Sequence, residues 1–96
     1  MSALWIASAD VSDPETYAKY AGPATEAIEA HGGVFLARGG NRVQLEGSGR
    51  ARNVVIRFPS LEAAEACYNS PRYQEALVYA KAAAARDIFV VEEIGE

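Results

Sequence analysis

This 96-residue chain contains a single cysteine and a single histidine. Cys67 alone cannot form an internal disulfide or a thiolate metal cluster. His31 alone excludes a multi-histidine metal site within one chain. No apolar run approaches the roughly 20 residues needed to span a bilayer, so no membrane partner is expected. The opening Met1-Ser2-Ala3-Leu4-Trp5 lacks the basic region and long apolar core of a secretory signal, and a cytoplasmic protein is expected. Net charge is −4, which argues against a nucleic-acid partner. Linkers, internal repeats and low-complexity segments are also missing. Residues 1–96 therefore read as one domain, able to bury roughly 60–65% of its unfolded surface.

The net charge hides an asymmetry. Five of the nine basic residues, Arg38, Arg42, Arg50, Arg52 and Arg57, fall between positions 38 and 57, opposed only by Glu46. That segment carries +4 and leaves −8 for the remainder. It is the locally positive stretch to which an anion would be drawn.

Local structure can be arranged around His31-Gly32-Gly33-Val34-Phe35-Leu36-Ala37-Arg38-Gly39-Gly40. Gly32 follows a helical pattern, where a residue free to adopt φ > 0 lets the helix stop. Gly39-Gly40 reads as a bulge or kink, because side-chain phase changes across it. Before the pair both parities are apolar; after it Val43 and Leu45 alternate with Arg42, Gln44 and Glu46. The second strand is therefore expected over 34–37, continuing past the kink to about 46.

The remaining elements follow from caps and periodicity. Residues 5–9 read as a first strand. Asp13 caps a helix with Pro14 at its first position, and the stripe Tyr17, Tyr20/Ala21, Ala24, Ala27/Ile28 and His31 gives its inward face. Gly22-Pro23 is expected to kink that helix or loosen its first turns. Residues 47–50 form a hairpin turn, 53–58 a third strand, and Ser60 caps a short helix bearing Leu61, Ala64, Cys67 and Tyr68. Ser70-Pro71 starts another helix with the stripe Tyr73, Ala76/Leu77, Ala80 and Ala83/Ala84. Asp87 is expected to break it, ahead of a last strand at 88–91.

The order β-α-β-β-α-β predicts an α+β, ferredoxin-like fold: a four-stranded antiparallel sheet with helices on one face. The other face of such a sheet normally meets water and alternates in polarity. The first, third and fourth strands do not alternate, and no helix remains to cover them. A second copy of the same sheet, stacked across a two-fold axis, is the economical cover. A homodimer is expected.

HGGVFLARGG, the run FPSLEAAEACYNSPRYQEA from Phe58 to Ala76, and the early DPETYAKY resemble the bacterial family known as domain of unknown function 1330. The resemblance extends over nearly the whole chain and implies a dimeric α/β barrel. Sister families of that superfamily include cofactor-free monooxygenases of aromatic polyketides and quinols, lactone isomerases and haem proteins. Two positions depart from the family's usual pattern: Arg57 stands where a Glu is usual, and Cys67 where an aromatic is usual.

Two residues are candidates for catalysis. Arg38 ends an apolar strand on the parity of Val34 and Leu36, so it is expected to start in a buried region, where a guanidinium needs an anion from ligand or protein. The structural alternative locks it to a carboxylate such as Glu92 or Glu93. His31, in the last helical turn, is suited to general acid–base work, or else hydrogen-bonds the helix-end carbonyls. Its use as an axial haem ligand has no other support in the sequence, and no cofactor is expected. Ligand-binding candidates are Tyr17, Tyr20, Asn69, Tyr73 and Arg57. The tyrosines also have a core reading, Asn69 a helix-stop reading, and Arg57 is expected to project between stacked sheets. Cys67 is expected to be buried and inert.

Three functions fit these residues. The first is a small-molecule-binding protein or cofactor-free enzyme, acting on a small carboxylate or a phenolic or quinone compound in a pocket between the first helix and the sheet. The second is a non-catalytic homodimeric module docking an acidic partner through the Arg-rich segment 38–57. The third is a sensor that binds a ligand without turnover. A pocket above ~300 Å³ on which Arg38 and His31 converge would favour the first or third; Arg38 locked to a carboxylate would favour the second.

Overall fold

In the computed structural model, which describes residues 1–95, the chain forms β1 (Ala3–Val11), α1 (Pro14–Ala30), β2 (Val34–Arg38), β3 (Arg52–Phe58), α2 (Leu61–Asn69), α3 (Pro71–Ala83) and β4 (Ala84–Glu92). The strands make one antiparallel sheet in the order β2-β3-β1-β4. The second helical region is split at Ser70, and the whole is a ferredoxin-like βαββαβ arrangement.

The caps form as their chemistry dictates. The Asp13 carboxylate accepts from the Thr16 backbone N–H at 3.2 Å and the Thr16 hydroxyl at 2.7 Å, satisfying a donor at the start of α1. Ser60 Oγ accepts from the Ala63 N–H at 3.0 Å. Ser70 serves two helices: its hydroxyl donates to the Cys67 carbonyl at the end of α2 and accepts from the Tyr73 N–H at the start of α3. Pro23 lies inside α1, which continues unbroken to Ala30 rather than loosening before it.

At the end of α1, Gly32 has φ +82°, and the Gly33 N–H donates to the Ile28 carbonyl at 2.8 Å. Gly33 is held by crowding. A Cβ there would stand 2.5 Å from Ile28 Cγ2, 2.9 Å from the Ile28 carbonyl oxygen and 3.0 Å from Phe58 Cε1. Backbone cannot yield as a side-chain tip does. Gly33→Ala is therefore expected to cost about 2–3 kcal/mol, read as a lower denaturant midpoint with unchanged slope. An unchanged midpoint would contradict this packing.

The core lies between the sheet's inner face and the helices. Trp5, at the centre of β1, is 1% exposed and meets Phe58, Tyr73 and Tyr68 at centroid distances of 5.6, 5.3 and 6.0 Å. The other inward residues of β1 are Ala3, Ala7 and Ala9. These small side chains leave space beside the tryptophan. The outer face presents Leu4 and Ile6 flanked by Val55, Phe89 and Val91, with Val34 and Leu36 towards the β2 edge. Among the described residues no helix covers it, and Val34 and Phe89 are 59% and 57% exposed.

Three expectations are corrected. The second strand stops at Arg38 rather than running to about position 46, and Val43 and Leu45 are exposed. Among the described residues their alternation meets no partner strand, and further along the connection Arg50 pairs with Asp10 of β1 and Asp87 of β4, at 3.0 Å each. The bulge lies between Phe35 and Ala37, not at Gly39-Gly40, although Gly39 does take φ +65°. Finally, β4 begins at Ala84, not after Asp87. The Ala83 carbonyl accepts from the Ser12 and Asp13 N–H groups, and residues 84–87 enter a ladder with Val11–Ser8. Tertiary pairing overrides the helix preference of the alanines.

Candidate functional site

The bulge decides where Arg38 goes. It places Phe35 opposite Ile56 and Arg38 opposite Val54, and Ile56 and Val54 both pack on the helix side. Arg38 therefore shares a face with Phe35, not with Val34 and Leu36, and it is exposed rather than buried. A one-residue slip reverses the face of everything after it. Its guanidinium stacks on the Phe35 ring at 3.4 Å from the centroid. Among the described residues it has no carboxylate partner. Glu93, one of the two acids considered for it, is held by Arg57 instead.

Arg52 and Arg86 join Arg38 on this inner face. Both lie opposite Ala9, one on each of the strands that flank β1. A chamber of about 70 Å³ lies between α1 and the sheet, lined by Tyr17, Tyr20, Ala7, Arg38, Arg52 and Arg86 among others. Among the described residues no carboxylate lines it.

Arg86 lines this chamber and holds a hydrogen-bond cluster there. Its Nη2 donates to Tyr20 Oη at 2.9 Å and Tyr73 Oη at 3.1 Å, and the two phenol oxygens lie 2.7 Å apart. Its guanidinium also sits 4.6 Å from the Tyr20 ring centroid. Nε and Nη1 are buried and have no hydrogen-bond partner among the described residues. Burial, reinforced by the neighbouring Tyr73, pushes the Tyr20 phenol well above its ordinary range; burial also raises Tyr73. Both stay protonated at neutral pH. Only one phenol hydrogen can occupy the bond between them, so one hydroxyl hydrogen remains free. The cluster is rich in donors and poor in acceptors.

The other arginines contrast with this. Arg50 is paired with Asp10 and Asp87, Arg57 with Glu93, and Arg72 with Glu26. Three arginines facing a chamber without a carboxylate, in a chain of net charge −4, are thus a local concentration of unneutralised charge.

The predicted site residues are only partly assembled. Tyr17 and Tyr20 line the chamber, and Tyr73 is fully buried behind it. His31 does not converge with Arg38. Its Nδ1 bonds the Ala27 carbonyl at 2.8 Å at the end of α1, and it lines neither the chamber nor the groove described below. Asn69 donates to the Glu65 carbonyl at 3.1 Å and lines that groove. Arg57 lies on the outer face and grips Glu93 with two bonds of 2.7 and 3.1 Å. Those bonds, with one from the Ser2 hydroxyl, bring the Glu93 carboxyl down to about 2. Cys67 is buried, and burial pushes its thiol up to about 11, beyond easy ionisation.

The groove, about 750 Å³, runs between α2, α3 and β4, with Leu61, Tyr68, Leu77, Ile88 and Val90 in its walls. Trp5 and Arg86 belong to the walls of both cavities. Arg86 is absent from the residues singled out in the sequence, and Arg52 enters there only as part of the basic segment 38–57. Arg86 shares the parity of Ile88 and Val90, a visible signal once β4 is known to start at Ala84; Arg52 likewise shares the parity of Val54 and Ile56. Among the described residues no group of three or more His, Cys, Asp or Glu could hold a metal, and no helix is long and apolar enough to cross a membrane.

Solved structures share this architecture. A Rhodopseudomonas palustris protein of unknown function is 17% identical with a TM-score of 0.80, over 99% of this chain and 84% of that one. SnoaB of Streptomyces nogalater, a cofactor-independent oxygenase, is 8% identical with a TM-score of 0.70, over 99% and 95%. A dimeric Bacteroides fragilis protein of unknown function and ferredoxin-like fold is 16% identical with a TM-score of 0.56, over 96% of each chain. At such identities the likeness is one of fold. No curated protein matches the chain. The family model of the domain of unknown function DUF1330, however, matches residues 2–94, and the chain belongs to that family.

Proposed function

We propose that this protein is a homodimeric small-molecule-binding protein whose Arg86 chamber captures the anionic group of a small carboxylate or phenolic compound. The observation that carries this is the pair of buried, unpartnered guanidinium nitrogens, Nε and Nη1 of Arg86. A buried charge without a counter-ion is costly, and a carboxylate or phenolate supplies both the charge and the acceptors. Arg38 and Arg52 add attraction at the same chamber. The exposed apolar outer face supports the homodimer, as does the likeness in fold to a protein described as dimeric.

Among the described residues the chamber contains donors and no side-chain base. Tyr20 is held protonated, and His31 lies elsewhere. This favours recognition of a group that is already ionised over proton abstraction. The same donors would stabilise an enolate or phenolate oxygen, the charge a cofactor-free oxygenation builds, and the fold likeness to SnoaB is what brings that reading forward. Docking of an acidic partner through segment 38–57 has less support, since Arg50 and Arg57 are already neutralised within the chain.

The test is a thermal-shift and calorimetric panel of benzoate, phenylacetate and 4-nitrophenolate, with benzamide as neutral control. At 100 times its Kd an acid should stabilise the wild type by about 2.7 kcal/mol, on the order of 10 °C in a domain of this size. Arg86→Met should give no response. Equal shifts in both proteins, or from benzamide, would overturn the assignment.

A further inference from the structure

We infer that the ligand is an amphipathic acid, with its anionic group on Arg86 and its apolar body in the groove between α2, α3 and β4. This rests on the anion reading above and adds the shape and polarity of what carries the anion. The chamber, at about 70 Å³, has room for a carboxylate group but not for a ring as well. The groove, at about 750 Å³, falls within the range of small-molecule sites, roughly 300–1,000 Å³. Arg86 lines both, so its guanidinium borders the groove as well as the chamber.

The alternation of β4 explains the juxtaposition. Arg86, Ile88 and Val90 point to the same side of the sheet, so one row begins with a charge and continues as apolar floor. Leu61 and Tyr68 from α2 and Leu77 from α3 wall that floor. Polar side chains of the groove, including Asn69 and Lys81, belong to the same two helices, while the β4 floor beyond Arg86 carries none. A ligand charged at both ends would leave this floor unused. An aryl-alkyl acid would cover it and still give Arg86 its counter-ion.

The experiment titrates acetate, phenylacetate and 4-phenylbutanoate into the full-length protein by calorimetry, with 4-phenylbutan-1-ol as the uncharged counterpart. Affinity should climb along the acid series, about fourfold for each methylene removed from water. The alcohol should bind at least tenfold more weakly than the matching acid. Ala84→Phe, which adds a ring in the groove but not in the chamber, should bring the longer acids down towards acetate. As a check that needs no variant, intermolecular NOEs from the phenyl ring of 4-phenylbutanoate should reach the methyls of Leu77 and Ile88. Flat affinity along the series, or NOEs to Val34 and Leu36 of the outer face instead, would overturn the amphipathic assignment while leaving anion capture standing. If no acid binds, or if Arg86→Met binds all three as well as wild type, anion capture itself fails, and this inference with it.

Discussion

Ligand-free Arg86→Met should melt higher than wild type. The substitution keeps much of the side-chain volume and removes a buried charge whose Nε and Nη1 have no partner among the described residues. Each unsatisfied buried donor costs about 1–3 kcal/mol, and withdrawing the charge from water adds several more. Against this stand two bonds from the charged guanidinium to neutral phenols and a cation–π contact, together about 4–8 kcal/mol. The phenols keep their mutual bond at 2.7 Å, so neither is left without a partner. The balance favours the variant by about 1–3 kcal/mol, or about 5–15 °C by differential scanning calorimetry. Function held at the expense of stability is the pattern expected of a binding site. A fall of several degrees would mean that Arg86 is a structural strut.

A second large effect is expected on the opposite face. Ile6 lies on central strand β1, between Val55 and Phe89, in the middle of the uncovered apolar surface. In the proposed homodimer this surface stacks on its own copy, and the two-fold axis places every substitution there twice. Ile6→Glu would bury two carboxylates without partners, at several kcal/mol each. The dissociation constant should rise by about 10⁴-fold or more. Sedimentation equilibrium should then report twice 10.3 kDa for wild type and 10.3 kDa for the variant. In a monomer the same change falls on a surface that meets water, so circular dichroism should show a folded chain. An Ile6→Glu protein that stays dimeric would place the interface elsewhere.

Much of the fold was legible because it is written in local chemistry. Asp13-Pro14, Ser60 and Ser70-Pro71 each mark a helix start with a side chain that accepts an orphan N–H, and all three caps form. Tyr73, Ala76, Leu77 and Ala80 follow the helical period, and all are buried. The site was harder to read because it depends on register. The bulge between Phe35 and Ala37 leaves no composition signal, yet it moves Arg38 to the other face. Arg86 was hidden by a run of alanines that reads as helix until Val11 and Ala9 pair with Ala84 and Arg86. A shared catalytic pocket requires His31 and Arg38, only seven positions apart, to converge. The helix end instead turns His31 back onto the Ala27 carbonyl, while β2 carries Arg38 to the chamber. Caps act over four residues, whereas registers are set by strands far apart in sequence.

The most direct test of anion capture is a crystal structure of the protein with phenylacetate. The carboxylate should lie with an oxygen about 2.7–2.9 Å from Arg86 Nε or Nη1, with the Arg86 bonds to Tyr20 and Tyr73 intact. A carboxylate bound at another arginine, with Arg86 Nε and Nη1 left untouched, would contradict it.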